Sequence, residues 1–262
     1  MDLDLKKKKA LVGGSSKGIG RACAIEISRL GADVLLMARN EDALKKVLGE
    51  LDTSQGQKHS FLVVDTNEPE KLAQQVSELA QKSEPIEILI NNTAGPAGGP
   101  ILEAKPEEFL KACSNHLICN QLLVQTLLPG MKSKNYGRII NIISTSVREP
   151  ILGLGVSNTT RGAVASWSKT LSKEIRADGI TINNILPGFT DTERLQSLFE
   201  KKAKKLGKTL KDIQTGARQM IPLGRFAKAS EIANAVAFLA SPAASYINGV
   251  SLAVDGGRLS SL

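Results

Sequence analysis

The sequence predicts a single doubly wound α/β domain, spanning residues 1–262 and built on a mainly parallel seven-stranded sheet. Three observations carry that prediction. Short aliphatic runs alternate with longer amphipathic stretches along the whole chain, the pattern of strands joined by crossover helices. The intervals between runs are long enough for those crossovers, which need a dozen or more residues to return to a parallel neighbour. With 262 residues and 42% hydrophobic content, the chain can also bury one substantial core. No internal repeat or low-complexity segment divides it.

The first strand, at 10–13, runs into Gly13-Gly14-Ser15-Ser16-Lys17-Gly18-Ile19-Gly20 and a helix predicted over 18–30. Glycines at 14, 18 and 20 let backbone N–H groups and the helix N-terminus approach a pyrophosphate with no side chain in the way. Placed between strand and helix at the head of a βαβ alternation, this loop is the signature of a Rossmann-type dinucleotide site, with Ser16, Lys17 and Ile19 among its residues. The second strand, 33–38, ends in Ala38-Arg39-Asn40. An acid here would hold the ribose 2′-hydroxyl of NAD, whereas a small residue followed by Arg39 leaves room and charge for the 2′-phosphate of NADP. Lys17 adds a second cation, so NADP(H) is the expected cofactor. The alternative is an Arg39 that merely faces solvent at the strand end.

A helix over 41–51, a strand over 60–64 and a helix over 68–81 follow, with Asp65 placed to cap that helix. The strand at 87–90 delivers Asn91 and Asn92 to the carboxyl edge of the sheet, where ligands bind, although the pair also suits a plain turn. Next come a helix over 106–131, a strand over 138–143, Ser144, a helix over 156–177 and a strand over 181–185. Ser144, Ser157 and Thr160 also read as caps of the 156–177 helix. The excursion at 189–226 replaces a tight connection with lysine-rich helical turns; such lengths are often lids or binding loops. Gly207, Gly216 and Gly224 would serve it as hinges or as ordinary turns. A helix over 230–239 and a strand over 251–254 complete the pattern.

Charge and composition narrow the function. The chain carries 34 Lys+Arg against 26 Asp+Glu, but its basic clusters, Lys6 to Lys9 and Lys201, Lys202, Lys204, Lys205 and Lys208, have no interleaved aromatics. A solvated helix face or tail accounts for them, and no nucleic-acid partner is expected. No apolar run reaches the length of a membrane span, and the N-terminal MDLDLKKKKALVGG lacks a signal peptide's apolar stretch and cleavage site, so a cytoplasmic protein beginning near Met1 is expected. Cys23, Cys113 and Cys119 lack paired spacing, which points to reduced thiols and no metal site. Aromatics make up only 3%, with two tyrosines.

Taken together, the chain resembles a short-chain dehydrogenase/reductase, in the branch similar to 3-oxoacyl-acyl-carrier-protein reductases. The resemblance rests on Gly14, Gly18 and Gly20; Asp65 after the third strand; Asn91-Asn92-Thr93-Ala94-Gly95; Gly137-Arg138-Ile139-Ile140-Asn141-Ile142; Pro187-Gly188; Pro222-Leu223-Gly224-Arg225-Phe226; and Val254-Asp255-Gly256-Gly257. It implies an adenine contact at Asp65, cofactor contacts at Pro187, Gly188 and Thr190, and reduction of a carbonyl to an alcohol, with a 3-oxoacyl thioester as one candidate substrate. It also implies a homodimer or homotetramer assembled through the 106–131 and 156–177 helices, with Leu117, Leu122, Leu123, Leu127 and Leu128 serving core and interface. The lysines of the excursion would suit an acidic partner such as an acyl carrier protein.

The family's catalytic pattern is not kept. The family has a Ser, a Tyr thirteen residues later, a Lys four further on, and an Asn on the preceding long helix. In this sequence Ser144 is followed by Ser157 and Arg161, and the helix position falls on His116, or on Asn115 if one residue is inserted. Neither Tyr136 nor Tyr246 has a basic residue four positions on. In the family, the tyrosine protonates the alkoxide while its lysine partner lowers the phenol's pKa and holds the nicotinamide ribose. A serine hydroxyl is a far weaker acid on a shorter arm, whereas Arg161 keeps a cation for the ribose. His116, with a reference pKa of ~6.5, is the candidate proton source, with Ser144 orienting the substrate oxygen and Ser157 bridging. A structural histidine is the competing reading. A catalytically silent dinucleotide-binding sensor or scaffold subunit is the alternative function.

Overall fold

A computed structural model describes residues 1–82, 84–175 and 179–261. Its strands are β1 (Lys9–Gly13), β2 (Asp33–Ala38), β3 (Ser60–Val63), β4 (Ile88–Asn91), β5 (Gly137–Ile142), β6 (Ile180–Pro187) and β7 (Ser251–Val254). They form one sheet in the order β3-β2-β1-β4-β5-β6-β7, every neighbouring pair parallel. The chain therefore winds outward from β1 one way and from β4 the other. The crevice at that reversal is where doubly wound folds bind ligands.

The α-helices are α1 (Gly18–Arg29), α2 (Glu41–Leu48), α3 (Pro69–Gln81), α4 (Pro106–Cys113), α5 (Cys119–Ser133), α6 (Gly155–Glu174), α7 (Glu193–Leu206), α8 (Leu210–Gln219) and α9 (Ala229–Ala240). Alternation along the strands divides the core in two. Ala10, Val12, Val34, Leu36, Ile88 and Ile90 face α1, α2 and α9, while Leu11, Leu35, Met37 and Leu89 face α3, α5 and α6. Both sheet faces are covered, which is why the strands read as nearly continuous apolar runs.

Four expectations change in detail. The helix expected over 106–131 is interrupted by a π turn at Ser114–Ile118, which adds one residue to the helical repeat just before α5. The 156–177 helix starts at Gly155, and its last two expected residues lie outside the described ones. Strand β6 continues to Pro187 because its end pairs with Val254 of β7. Lys6 to Lys9 are neither tail nor helix face: Lys9 opens β1, and Lys8 pairs with the buried Glu87 at 3.1 Å.

The 189–226 excursion is a packed unit. Phe189, Phe199 and Phe226 meet with ring centroids 5.5–6.1 Å apart, joined by Ala203, Ile213 and Ala217. Half of the chain's six phenylalanines serve this small core. Its ends close on each other: Ala227 N–H donates to Phe189 O at 2.9 Å, and Asp191 N–H to Ala227 O at 2.8 Å. Gly207 ends α7 at φ +62 in the left-handed region that favours glycine, so it acts as a stop between α7 and α8.

Candidate active site

The carboxyl ends of β1, β4, β5 and β6 open on a cleft of about 1180 Å³. Its first half is built by the glycine loop. Gly14 and Gly18 both take φ +56. A β-carbon on Gly14 would stand 2.8 Å from the Asn92 side chain, which itself donates to Gly13 O at 3.2 Å. Gly20 is not part of the lining: a β-carbon there would meet Gly14 O at 2.3 Å, so this glycine lets α1 pack against the loop. Ser15, which the sequence reading passed over, is buried and accepts from Met37 N–H at 2.9 Å, tying the loop to β2.

Around this cradle, Ser16, Lys17, Gly18, Ile19, Asn92, Pro187, Gly188 and Thr190 line the cleft. Thr192, also passed over, caps α7 and would touch a β-carbon on Gly18 at 3.5 Å. Arg39 is exposed at the β2 end of the cleft, with no ion pair among the described residues. Lys17 is less free than expected, since its Nζ bridges Glu193 of α7 at 2.6 Å.

Asp65 and Asn91 lie outside the lining of the main cleft. Asp65 lies in a side pocket next to Arg39, its Oδ1 accepting from the backbone and side-chain N–H groups of Asn67, while Thr66 and Asn67 line the main cleft. Nor does Asp65 cap α3, whose N-cap position is Glu68 and which has no side-chain cap. Asn91 is buried in a polar ladder across the sheet. It donates to Asn141 Oδ1 at 2.8 Å, Asn141 donates to Asn184 Oδ1 at 2.9 Å, and Asn184 to Ser251 Oγ at 3.1 Å. The four residues are direct register partners on β4 to β7.

The second half of the cleft gathers Ser144, Ser157, Arg161 and His116. Ser144 caps a short 3₁₀ turn, Thr145–Val147, by accepting from Ser146 N–H at 3.0 Å. Neither Ser144 nor Ser157 caps α6, which starts after Leu154 without a side-chain cap. Arg161 Nε instead donates to Ser157 Oγ at 3.2 Å, and its Nη1 to the carbonyls of Ile142 and Ile143 at 3.2 and 2.9 Å. Most of its hydrogen bonds are thus spent inside the chain. Burial and the nearby Arg194 lower the Arg161 pKa to about 10.

His116 lies on the π turn, 5% exposed, with Nδ1 bonded to the Thr93 hydroxyl. Thr93 belongs to the Asn91-to-Gly95 segment, so this bond joins the loop after β4 to the π turn. Asn115, one residue earlier, points to Asn67 at 3.1 Å. Titration of His116 near neutral pH is not what its surroundings give. Burial, then the charges of Arg161 and Arg194, push its pKa down to about 3, so the imidazole is neutral at physiological pH.

The tyrosines stand away from the cleft. Tyr136 donates to Ala240 O at 2.6 Å between Lys8 and Arg138, its pKa raised by burial to about 12, and Tyr246 projects into solvent. All three cysteines are free, and no cluster of metal-ligating side chains occurs among the described residues. No helix among them is long and apolar enough to cross a membrane.

Known proteins agree with this architecture. A family model described as enoyl-(acyl carrier protein) reductase matches residues 14–258. The 3-oxoacyl-[acyl-carrier-protein] reductase FabG of Haemophilus influenzae is 34% identical over 257 residues, covering 97% of this chain and 98% of that protein. The L-sorbose reductase of Gluconobacter frateurii, solved with NADPH and L-sorbose, superposes with a TM-score of 0.93 at 32% identity over the full length of both chains. YwfH, an NADPH-dependent reductase of bacilysin biosynthesis, superposes at 0.92 with 27% identity, covering 98% of this chain and 100% of that one. With these matches running almost end to end over a seven-stranded parallel fold, the chain belongs to the short-chain dehydrogenase/reductase family, in its 3-oxoacyl-acyl-carrier-protein-reductase-like branch.

Proposed function

We propose that the protein is an NADP(H)-dependent oxidoreductase that reduces a carbonyl to an alcohol, consuming one NADPH and one proton per carbonyl. The observation that carries this reading is one continuous cleft with a glycine cradle and unpaired Arg39 at one end, and Ser144, Ser157 and Arg161 at the other. The cradle fits a dinucleotide because Gly14 and Gly18 carry the loop through left-handed backbone beside the N-terminus of α1, and Arg39 fits a 2′-phosphate. NADPH, when bound, supplies the hydride.

The chain's own residues do the rest. Ser144 orients the carbonyl oxygen. Arg161, fixed by two backbone carbonyls, donates to Ser157 Oγ and so holds that hydroxyl in place beside the carbonyl. Ser157 passes on a proton drawn from solvent, and His116 serves as a neutral hydrogen-bonding group held by Thr93. General acid help is worth roughly 10²–10⁴ in rate, so turnover slower than that of a tyrosine-bearing relative is expected. The 3-oxoacyl thioesters named for the H. influenzae relative belong in the substrate panel. Assembly into a dimer or tetramer is part of the proposal. Leu123 and Leu127 are spent in the core, so the exposed Leu110 and Ile118 are the better interface candidates.

The test is a titration with NADPH and NADH followed by a panel of ketones, oxo acids and 3-oxoacyl thioesters. NADPH should bind more tightly than NADH, and Arg39→Ala should weaken NADPH by about 10–100-fold, the worth of a charged hydrogen bond. Binding with no turnover across the panel would leave a silent sensor, and no binding would remove both readings.

A further inference from the structure

Two guanidiniums in the reaction half of the cleft have no carboxylate beside them. Arg161 reaches in from α6 and Arg194 from the first turn of α7. A β-carbon built on Gly95 would lie 3.2 Å from Nη2 of Arg161 and 3.3 Å from Nη2 of Arg194, so both groups crowd the same spot. With its Nε and Nη1 held by Ser157, Ile142 and Ile143, Arg161 keeps Nη2 for the cleft. Arg194 Nη2 is steadied by Pro96 O at 2.5 Å. The two acids lining the cleft are engaged elsewhere: Glu193 bridges Lys17, and Glu108 accepts from Lys105 N–H at 2.9 Å.

Like charges held this close repel each other, and the repulsion reaches His116, which both arginines help to keep neutral. An anion between them would relieve it, and planar guanidiniums match a carboxylate through paired hydrogen bonds. An uncharged substrate would leave both cations unmet.

We propose that Arg161 and Arg194 form a carboxylate seat over Gly95, and that the substrates are short oxo acids whose carbonyl lies at Ser144 and Ser157. The choice of substrate rests on the carbonyl reductase reading; the seat rests on the geometry alone. Because Arg194 belongs to the excursion and Arg161 to the body of the domain, a seated carboxylate would also tie the two together. The competing anion is the cofactor's pyrophosphate, and the test separates the two.

The experiment measures kcat and KM with NADPH for 2-, 3- and 4-oxo carboxylates and their methyl esters in the wild type, Arg194→Met and Gly95→Ala, together with the Kd for NADPH. The wild type should prefer at least one acid over its ester by about 10–100-fold in kcat/KM. Arg194→Met should bring that ratio close to one through the KM of the acid, and Gly95→Ala, whose methyl enters the seat, should lower it too. A wild-type ratio near one overturns the proposal. So does an Arg194→Met defect that falls on the NADPH Kd, which would assign the guanidinium to the pyrophosphate. If neither acids nor esters are reduced, the oxo-acid substrate assignment fails, the carbonyl reductase reading is judged on the ketones and 3-oxoacyl thioesters, and the seat is tested alone by NMR titration with the matching saturated carboxylates and esters. Shifts at the Ala94 and Gly95 amides caused by the acids only would support it, and their absence would overturn it.

Discussion

Residue by residue, the site's chemistry is set by neighbours far away in sequence. His116 shows this most clearly. Its type and position are visible in the sequence, but its proton affinity comes from burial and from Arg161 and Arg194, which lie 45 and 78 positions further on. The sign of the consequence is definite. The unfolded chain binds a proton on this histidine below about pH 6.5, while the folded protein resists it until about pH 3, so stability falls as pH drops through that window and gains nothing above it. Between pH 7 and pH 4 the loss is on the order of 3 kcal/mol. His116→Gln should lose that much less over the same interval in urea unfolding; an equal loss in both proteins would show that the imidazole is not held neutral. For the same reason, carbonyl reduction should show no ionisation near pH 6.5.

At the scale of elements, the strands and the glycine loop were legible because their causes are local. Nearly continuous apolar runs mark a sheet buried on both faces, and Gly14 and Gly18 mark backbone that must turn left-handed. The π turn between α4 and α5 was not legible as such, since one extra residue in a helix leaves the apolar periodicity nearly intact. It surfaced only as the choice between Asn115 and His116. The excursion's lysines were read correctly as exposed, yet its three packed phenylalanines were hidden by spacing over 37 positions. Phe199→Ala should cost about 3–5 kcal/mol within that unit. Amide exchange should quicken across α7 and α8 while β1 and β4 stay protected; uniform quickening would mean that the excursion and the sheet unfold as one.

Across the whole molecule, the asparagine ladder joins four strands through side chains inside an otherwise apolar sheet. Asn141 sits at its centre, donating to Asn184 and to Ser168 and accepting from Asn91. Asn141→Leu leaves buried amide groups on both sides without partners, and each such group costs about 1–3 kcal/mol. A fall of about 2–5 kcal/mol in unfolding free energy is expected, with Asn91→Leu added to Asn141→Leu recovering part of it; additive losses would argue against a coupled ladder. The same ladder explains why Asn91 never reaches the cleft although its neighbour Asn92 does: Asn91 is the last residue of β4 and is held in the ladder, while Asn92 opens the loop that follows. By itself the sequence determined the strand and helix order, the glycine cradle and the absence of a tyrosine with a basic partner, because periodicity, backbone freedom and spacing are properties of neighbours along the chain. Only the tertiary structure decided that Asn91 turns into the sheet, that His116 is neutral and that Arg161 and Arg194 meet over Gly95. Charge and burial act through space, and the sheet's strand order brings together residues that the sequence keeps far apart.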